Sequence, residues 1–190
     1  MMHRSSRQPL LAKLAASLSM LLLILLSAPL AALPADRLQK IVIEDADKFI
    51  QTPLENGEEK TELSGNVLVT QGSRQIRGHS ITIIRAQSRV TRVEAKGDLA
   101  SFSQQASRDK EPVSAKAKEI IYTPANDTLQ LSGAATISQQ GSTVNGDTIL
   151  YNAATEQISA SGADDRSSTV KIVFEPSASE DTNTATENKP

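Results

Sequence analysis

Residues 62–83 and 130–151 are two versions of one pattern, ELSGNVLVTQGSRQIRGHSITI and QLSGAATISQQGSTVNGDTILY. A constant offset of 68 places Leu63, Ser64, Gly65, Gln71, Gly78 and Ile81 on Leu131, Ser132, Gly133, Gln139, Gly146 and Ile149 without a gap. Near-equivalents fall between them, Val69 on Ile137 and Ile76 on Val144. Self-similarity at fixed spacing means stacked supersecondary units, none able to bury its apolar face alone. The chain is thereby confined to a layered, elongated fold, and the functional question becomes what such a stack holds.

A shorter repeat lies inside the longer one. Residues 118–122 (KEIIY), followed by eleven residues ending in Leu131-Ser132-Gly133, align with residues 147–151 (DTILY) and eleven more ending in Ala160-Ser161-Gly162, at an offset of 29 throughout. An earlier echo runs from Phe49 to Gly65, and Gly97 is a fourth member. Gly65, Gly97, Gly133 and Gly162 therefore mark one place in successive units. A glycine inside a strand marks a bend, a bulge or a close backbone approach. Corners at equivalent places would fold a meander into two facing sheets.

Between Ile41 and Phe174 the dominant period is two, the signature of half-buried antiparallel strands. Leu63, Gly65, Val67 and Val69 alternate with Ser64, Asn66, Leu68 and Thr70; Val170, Ile172 and Phe174 alternate with Lys171 and Val173. Turn signals separate the runs at Glu55-Asn56-Gly57, at residues 124–127, at Gln140-Gly141-Ser142 and at Asn145-Gly146. No amphipathic helix longer than a turn or two is legible; residues 111–120 have helix-forming composition but run into Ile120-Ile121-Tyr122, which matches a strand elsewhere. The expected class is all-β. Its inward stripe comprises Val67, Val69, Ile81, Ile83, Ile120, Tyr122, Leu131, Ile137, Ile149 and Tyr151.

The two ends differ from this middle. His3, Arg4, Arg7 and Lys13 form a basic front, and residues 14–35 then carry no charge. A basic segment followed by an apolar one is an export signal, placed here at residues 1–35 with cleavage near 31–35. The apolar stretch also approaches the roughly 20 residues of a membrane span, so a retained anchor is the alternative. Residues 36–176 form one domain, and residues 177–190 a polar, acidic tail expected to be disordered.

Composition removes whole classes of chemistry. The chain has no Cys, which excludes disulfides, thiolate catalysis and Cys-ligated metal. Net charge is −2 with dispersed cations, so no nucleic-acid footprint exists, and Trp is absent. His79, the one histidine beyond the leader, has no nucleophile in a recognisable elbow and no partners at metal-ligand spacing. No catalytic residue, metal or cofactor is assigned. The small aliphatic inner positions admit two readings: a dry core, or a groove between two sheets that opens for a lipid chain. Each methylene buried there would contribute about 0.8 kcal/mol without any specific hydrogen bond.

Four segments together, residues 41–46 (IVIEDA), 63–72 (LSGNVLVTQG), 146–151 (GDTILY) and 169–176 (TVKIVFEP), resemble the LptA/OstA-like family of periplasmic lipopolysaccharide-transport bridge proteins. The resemblance covers about residues 41–176 and implies an open, twisted β-jellyroll of antiparallel strands. Its V-shaped interior would carry the acyl chains of lipid A. It further implies a non-enzymatic periplasmic protein that stacks head to tail and docks to LptC-like inner-membrane and LptD-like outer-membrane jellyrolls. An open jellyroll leaves unpaired backbone at its first and last strands, so Ile41, Ile43, Val170, Ile172 and Phe174 are the expected assembly edges. Two departures stand out: His79 occupies a position where many members have Asp, and the leader lacks a tidy cleavage site. An anchored LptC-like subunit and a structural β-repeat module with a filled core are the competing readings.

Overall fold

A computed structural model describes residues 35–105, 110–165 and 167–175. The expected leader, except Ala35, and the expected tail lie outside the described residues. After a 3-10 turn at Ala35–Leu38 come β1 (Ile41–Pro53), β2 (Glu58–Gln71), β3 (Arg74–Ala86), β4 (Arg89–Gln104), β5 (Val113–Thr123), β6 (Thr128–Gln139), β7 (Ser142–Asn152), β8 (Gln157–Ser161) and β9 (Lys171–Phe174). Strands β1 to β8 pair antiparallel in chain order, and β9 pairs with β7. The outer edge of β7 is therefore shared. Thr148 to Asn152 face β8, while Ser142 to Asn145 face β9.

Both repeats are repeats of hairpins. The 68-residue offset carries β2–β3 onto β6–β7 with the same register: Leu63 faces Ile81 as Leu131 faces Ile149, and Val67 faces Gly78 as Ala135 faces Gly146. The 29-residue offset carries β5–β6 onto β7–β8, with Ile120 facing Leu131 as Ile149 faces Ala160.

Every ladder from β1–β2 to β6–β7 is interrupted in its middle, and the interruptions line up across the sheet as a crease. Between Ser64 and Val67, β2 has one residue more than β3. Between Lys96 and Ala100, β4 has two more than either neighbour. Between Ser132 and Ala135, β6 has one more than β7. The added residues include Gly65 and Gly133 at φ 113° and 77°, and Leu99 at φ 97°. An extra residue bends its strand and increases local twist. Three of the four expected corner glycines, Gly65, Gly97 and Gly133, thus sit on this crease, and Gly162 follows the end of β8.

The crease divides the long strands into two half-sheets. One holds residues 58–64, 80–86, 89–96, 119–123, 128–132, 148–152 and β8; the other holds 67–71, 74–77, 100–104, 113–116, 135–139, 142–145 and β9. They face each other, since the rings of Phe102 and Tyr122, from opposite halves, lie 6.2 Å apart. The core is one continuous apolar cluster between them.

Inward parity changes at the crease. In β3 the buried positions are Arg74 and Ile76 before it and Ile81 and Ile83 after it; in β5 they are Val113, Ala115 and Ala117, then Ile120 and Tyr122. Strict alternation would turn the second half of each strand inside out, so the bend rotates the strand by one position. In β2 and β6 the added residue absorbs the slip, and Leu63, Val67 and Val69 remain in phase. The expected turn at Asn145-Gly146 is corrected: both residues lie within β7, where it passes from pairing β9 to pairing β8. Strand geometry holds there because the chain bends at the crease without reversing.

Candidate functional site

All ten residues of the expected inward stripe are buried, and they belong to the one apolar cluster. Val93, Ala95, Phe102, Val113, Ala115 and Leu129 also belong to it and were not singled out in the sequence. Their signal was available in the same period-two runs, but the parity slips hid which phase pointed inward. Water-facing residues of the first half-sheet are charged instead. Lys96 bridges Glu94 at 2.6 Å and Glu119 at 3.1 Å, and Arg85 pairs with Glu59. The Lys96 hydrogen bond leads in holding the Glu94 carboxyl below its usual range.

The interior is closed as it stands. A small apolar pocket of about 20 Å³ lies beside Arg74, lined by Val69, Ile83, Val90, Val93 and Tyr122 among others. That is room for about one water and too little for a lipid chain. Tyr151 keeps its hydroxyl in this apolar setting; burial pushes its pKa up, with the charges of Glu156 and Asp127 adding to the effect.

The apolar lining does not stop at the core. On the inner face Ile43 lies opposite Val69, Phe49 opposite Leu63 and Ile172 opposite Val144, because directly paired residues share a face. Yet β1 is exposed along its whole length and β9 likewise. Phe49 is 59% and Phe174 74% exposed. At both ends of the meander the apolar inner face therefore runs out onto an uncovered strand. Of the expected edge residues, Ile41 and Ile43 lie on β1, and Ile172 and Phe174 on β9. Val170 is exposed but precedes β9, whose ladder starts with Lys171 opposite Asn145. Phe49 was missed among the edges because its inward phase is visible only from its pairing with Leu63.

Among the described residues no cluster of three or more His, Cys, Asp or Glu could hold a metal ion. His79 is exposed at the crease, and no described helix is long and apolar enough to cross a membrane.

An antiparallel meander creased into two facing half-sheets, apolar within and uncovered at both terminal strands, is an open β-jellyroll. Comparison with known proteins then specifies which kind. A family profile described as LptA/(LptD N-terminal domain) LPS transport protein matches residues 46–157, and the chain belongs to that family. The lipopolysaccharide export system protein LptA of Haemophilus influenzae is 35% identical over 100 residues, covering 51% of this chain and 58% of that protein, less than two thirds of its length. The LptA protein of Escherichia coli K12 is 30% identical over 159 residues, covering 83% of this chain and 82% of its own. The crystal structure of LptH, the LptA-homologous periplasmic component from Pseudomonas aeruginosa, superimposes with a TM-score of 0.65 at 26% identity, covering 75% of this chain and all of that one. The family resemblance read from the sequence and the expected fold class both hold.

Proposed function

We propose that this chain is a periplasmic lipopolysaccharide carrier. Acyl chains of lipid A occupy its apolar trough, and its uncovered terminal strands join it to like jellyrolls. The observation that carries this reading is the continuity of the apolar lining from the core onto β1 at one end and β9 at the other. A filled structural core would end at covered edges; a conduit must pass its cargo to the next unit. Each lipid methylene moved from water into the lining would contribute about 0.8 kcal/mol, so a long chain is held without polar recognition. A domain of this size has a radius of gyration of about 15 Å. Spanning an envelope therefore requires several units, either copies of this chain or related inner- and outer-membrane jellyrolls of the LptC-like and LptD-like kinds.

The test is photocrosslinking from within the trough. Photoreactive residues at Val69, Ile83 and Ile137 should label with lipopolysaccharide in cells, and residues at Ser64 and Thr136 on the other face should not. Equal labelling of both faces would refute the trough. The closed interior supports a second reading, a structural module with a filled core. Co-purification of lipopolysaccharide with the exported chain separates the two, and the mass of that chain separates a freed carrier from an anchored, LptC-like subunit.

A further inference from the structure

The outer face of the first half-sheet carries a concavity of its own, on the side away from the apolar interior. Beside the crease, directly paired residues of four successive strands read Lys48, Ser64, Ser80 and Lys96. The next row reads Ile50, Glu62, Thr82 and Glu94. Paired residues share a face, and the chain neighbours Leu63, Ile81 and Ala95 are buried on the other one. Long side chains on β1 and β4 therefore stand on either side of short hydroxyls on β2 and β3. The result is a cleft of about 360 Å³, walled by Lys48 and Ile50 on one side and by Glu94 and Lys96 on the other. Both walls border irregularities: β1 slips register between Ala46 and Lys48, and the two added residues of β4 follow Lys96.

The lining is polar and partly unsatisfied. Lys96 is held by Glu94 at 2.6 Å and Glu119 at 3.1 Å, and Glu62 by Lys60 at 3.0 Å. The Lys48 ammonium and the hydroxyls of Ser64, Ser80 and Thr82 have no partner among the described residues. A free cation thus faces a carboxylate-bearing wall across a floor of three hydroxyls. Several ligand classes do not fit. The backbone of the floor is already paired in its ladders, so a peptide strand cannot add to it. No aromatic side chain lines the cleft for a nucleobase to stack on. Ile50, 42% exposed, is the one exposed aliphatic side chain lining it, too little for an acyl chain. A sugar matches each part. Its hydroxyls donate to Glu62 and Glu94 and exchange hydrogen bonds with the serine and threonine hydroxyls, and an acidic substituent meets Lys48. Its C–H face rests on Ile50. Three strand spacings, about 14 Å, separate Lys48 from Lys96, room for two sugar rings.

We propose that this outer cleft is a binding site for an acidic disaccharide unit, with Lys48 taking the anionic group and Ser64, Ser80, Thr82 and Glu94 taking the ring hydroxyls. The site opens on the face opposite the apolar interior and is independent of the carrier reading. Two glycans of a bacterial envelope have this chemistry: the wall polymer, with a carboxylate on every second sugar, and the sugar part of lipopolysaccharide.

The test is a titration of the isotope-labelled exported chain, followed by its amide chemical shifts. The probes are N-acetylglucosaminyl-N-acetylmuramic acid, the lipid-free core oligosaccharide released from lipopolysaccharide by mild acid, and neutral diacetylchitobiose with the same number of rings. Shifts centred on Lys48, Ser64, Ser80, Thr82 and Lys96 are expected with an acidic probe; the first probe would identify the wall polymer as the source, the second lipopolysaccharide. Diacetylchitobiose should bind about two- to fivefold more weakly, the equivalent of one exposed ion pair. Lys48→Gln should weaken the acidic probe by the same factor and leave the neutral one unchanged. Ser80→Gln, which raises the floor without altering charge, should abolish the shifts, and the spectra of both variants report that they are folded. Equal binding of neutral and acidic probes would overturn the role of Lys48 and with it the ligand class. No localised shifts with either acidic probe, or undiminished shifts in Ser80→Gln, would overturn the site.

Discussion

Gly65 of β2 and Gly133 of β6, 68 residues apart, hold the same bend. Each lies where its strand carries one residue more than the strand beside it, and both have positive φ, 113° and 77°. Their surroundings differ. A Cβ on Gly65 would lie 2.8 Å from the backbone nitrogen of Asp47, whereas one on Gly133 would meet only the flexible Lys118 side chain at 3.2 Å. Gly65→Ala should therefore destabilise by more than about 2 kcal/mol, combining backbone strain with a contact that cannot yield. Gly133→Ala should cost about 1 kcal/mol, from strain alone. Urea unfolding midpoints of the two variants check the order, and equal losses would show that the crease tolerates a side chain at both positions.

Leu131 and Ile149 are fully buried cross-strand partners at the centre of the core. Ile149→Ala should destabilise by about 2–5 kcal/mol, the range for deleting a buried aliphatic side chain. Its neighbour Leu150 points outward and is 47% exposed. Leu150→Ala should change stability by less than about 0.5 kcal/mol. Thermal or denaturant unfolding of both variants tests the assigned inward phase.

The Glu175 amide donates to the Gly141 carbonyl, which makes those two a hydrogen-bonded pair at the end of the β7–β9 ladder. Such pairs alternate along an antiparallel ladder. The next lies at Thr143 opposite Val173, and the amides of Ile172 and Phe174 point away from β7. Ile172→Pro thus removes an outward donor without breaking the internal ladder. The variant should stay folded and associate more weakly, read as a shift in oligomer distribution against concentration. A folded variant that associates as strongly as wild type would exclude this edge as the joint.

Glu94 is held below the ordinary carboxylate value of 4.5, first by its Lys96 hydrogen bond and also by Arg92. A depressed folded-state value contributes stability above the unfolded value, and that contribution disappears as pH falls through the folded one. Glu94→Gln should cost less than about 1 kcal/mol at pH 7, since its partners Arg92 and Lys96 are about half exposed and solvent screens the pairs. The difference from wild type should shrink to nothing below the lowered Glu94 value. A difference that persists in strong acid would show that Glu94 acts by packing.

The repeats were legible in the sequence because each is a hairpin, and a hairpin is specified locally by alternation and turns. Leu63 on Leu131 and Tyr122 on Tyr151 are equivalent in sequence and in register. The burial of the ten residues of the inward stripe was legible for the same reason. Asn145-Gly146 was misread because a residue pair that favours a turn also suits a bend within a strand.

The sequence by itself determined an all-β meander, its unit length, its apolar stripe and its family, since all of these follow from short-range periodicity. Only the tertiary structure decided where inward parity slips, how β8 and β9 divide the last edge, and that Arg74 meets Asp127 across 53 residues of chain. Those features depend on the angle at the crease. That angle builds up from the added residues on β2, β4 and β6 together, which no short stretch of sequence specifies alone.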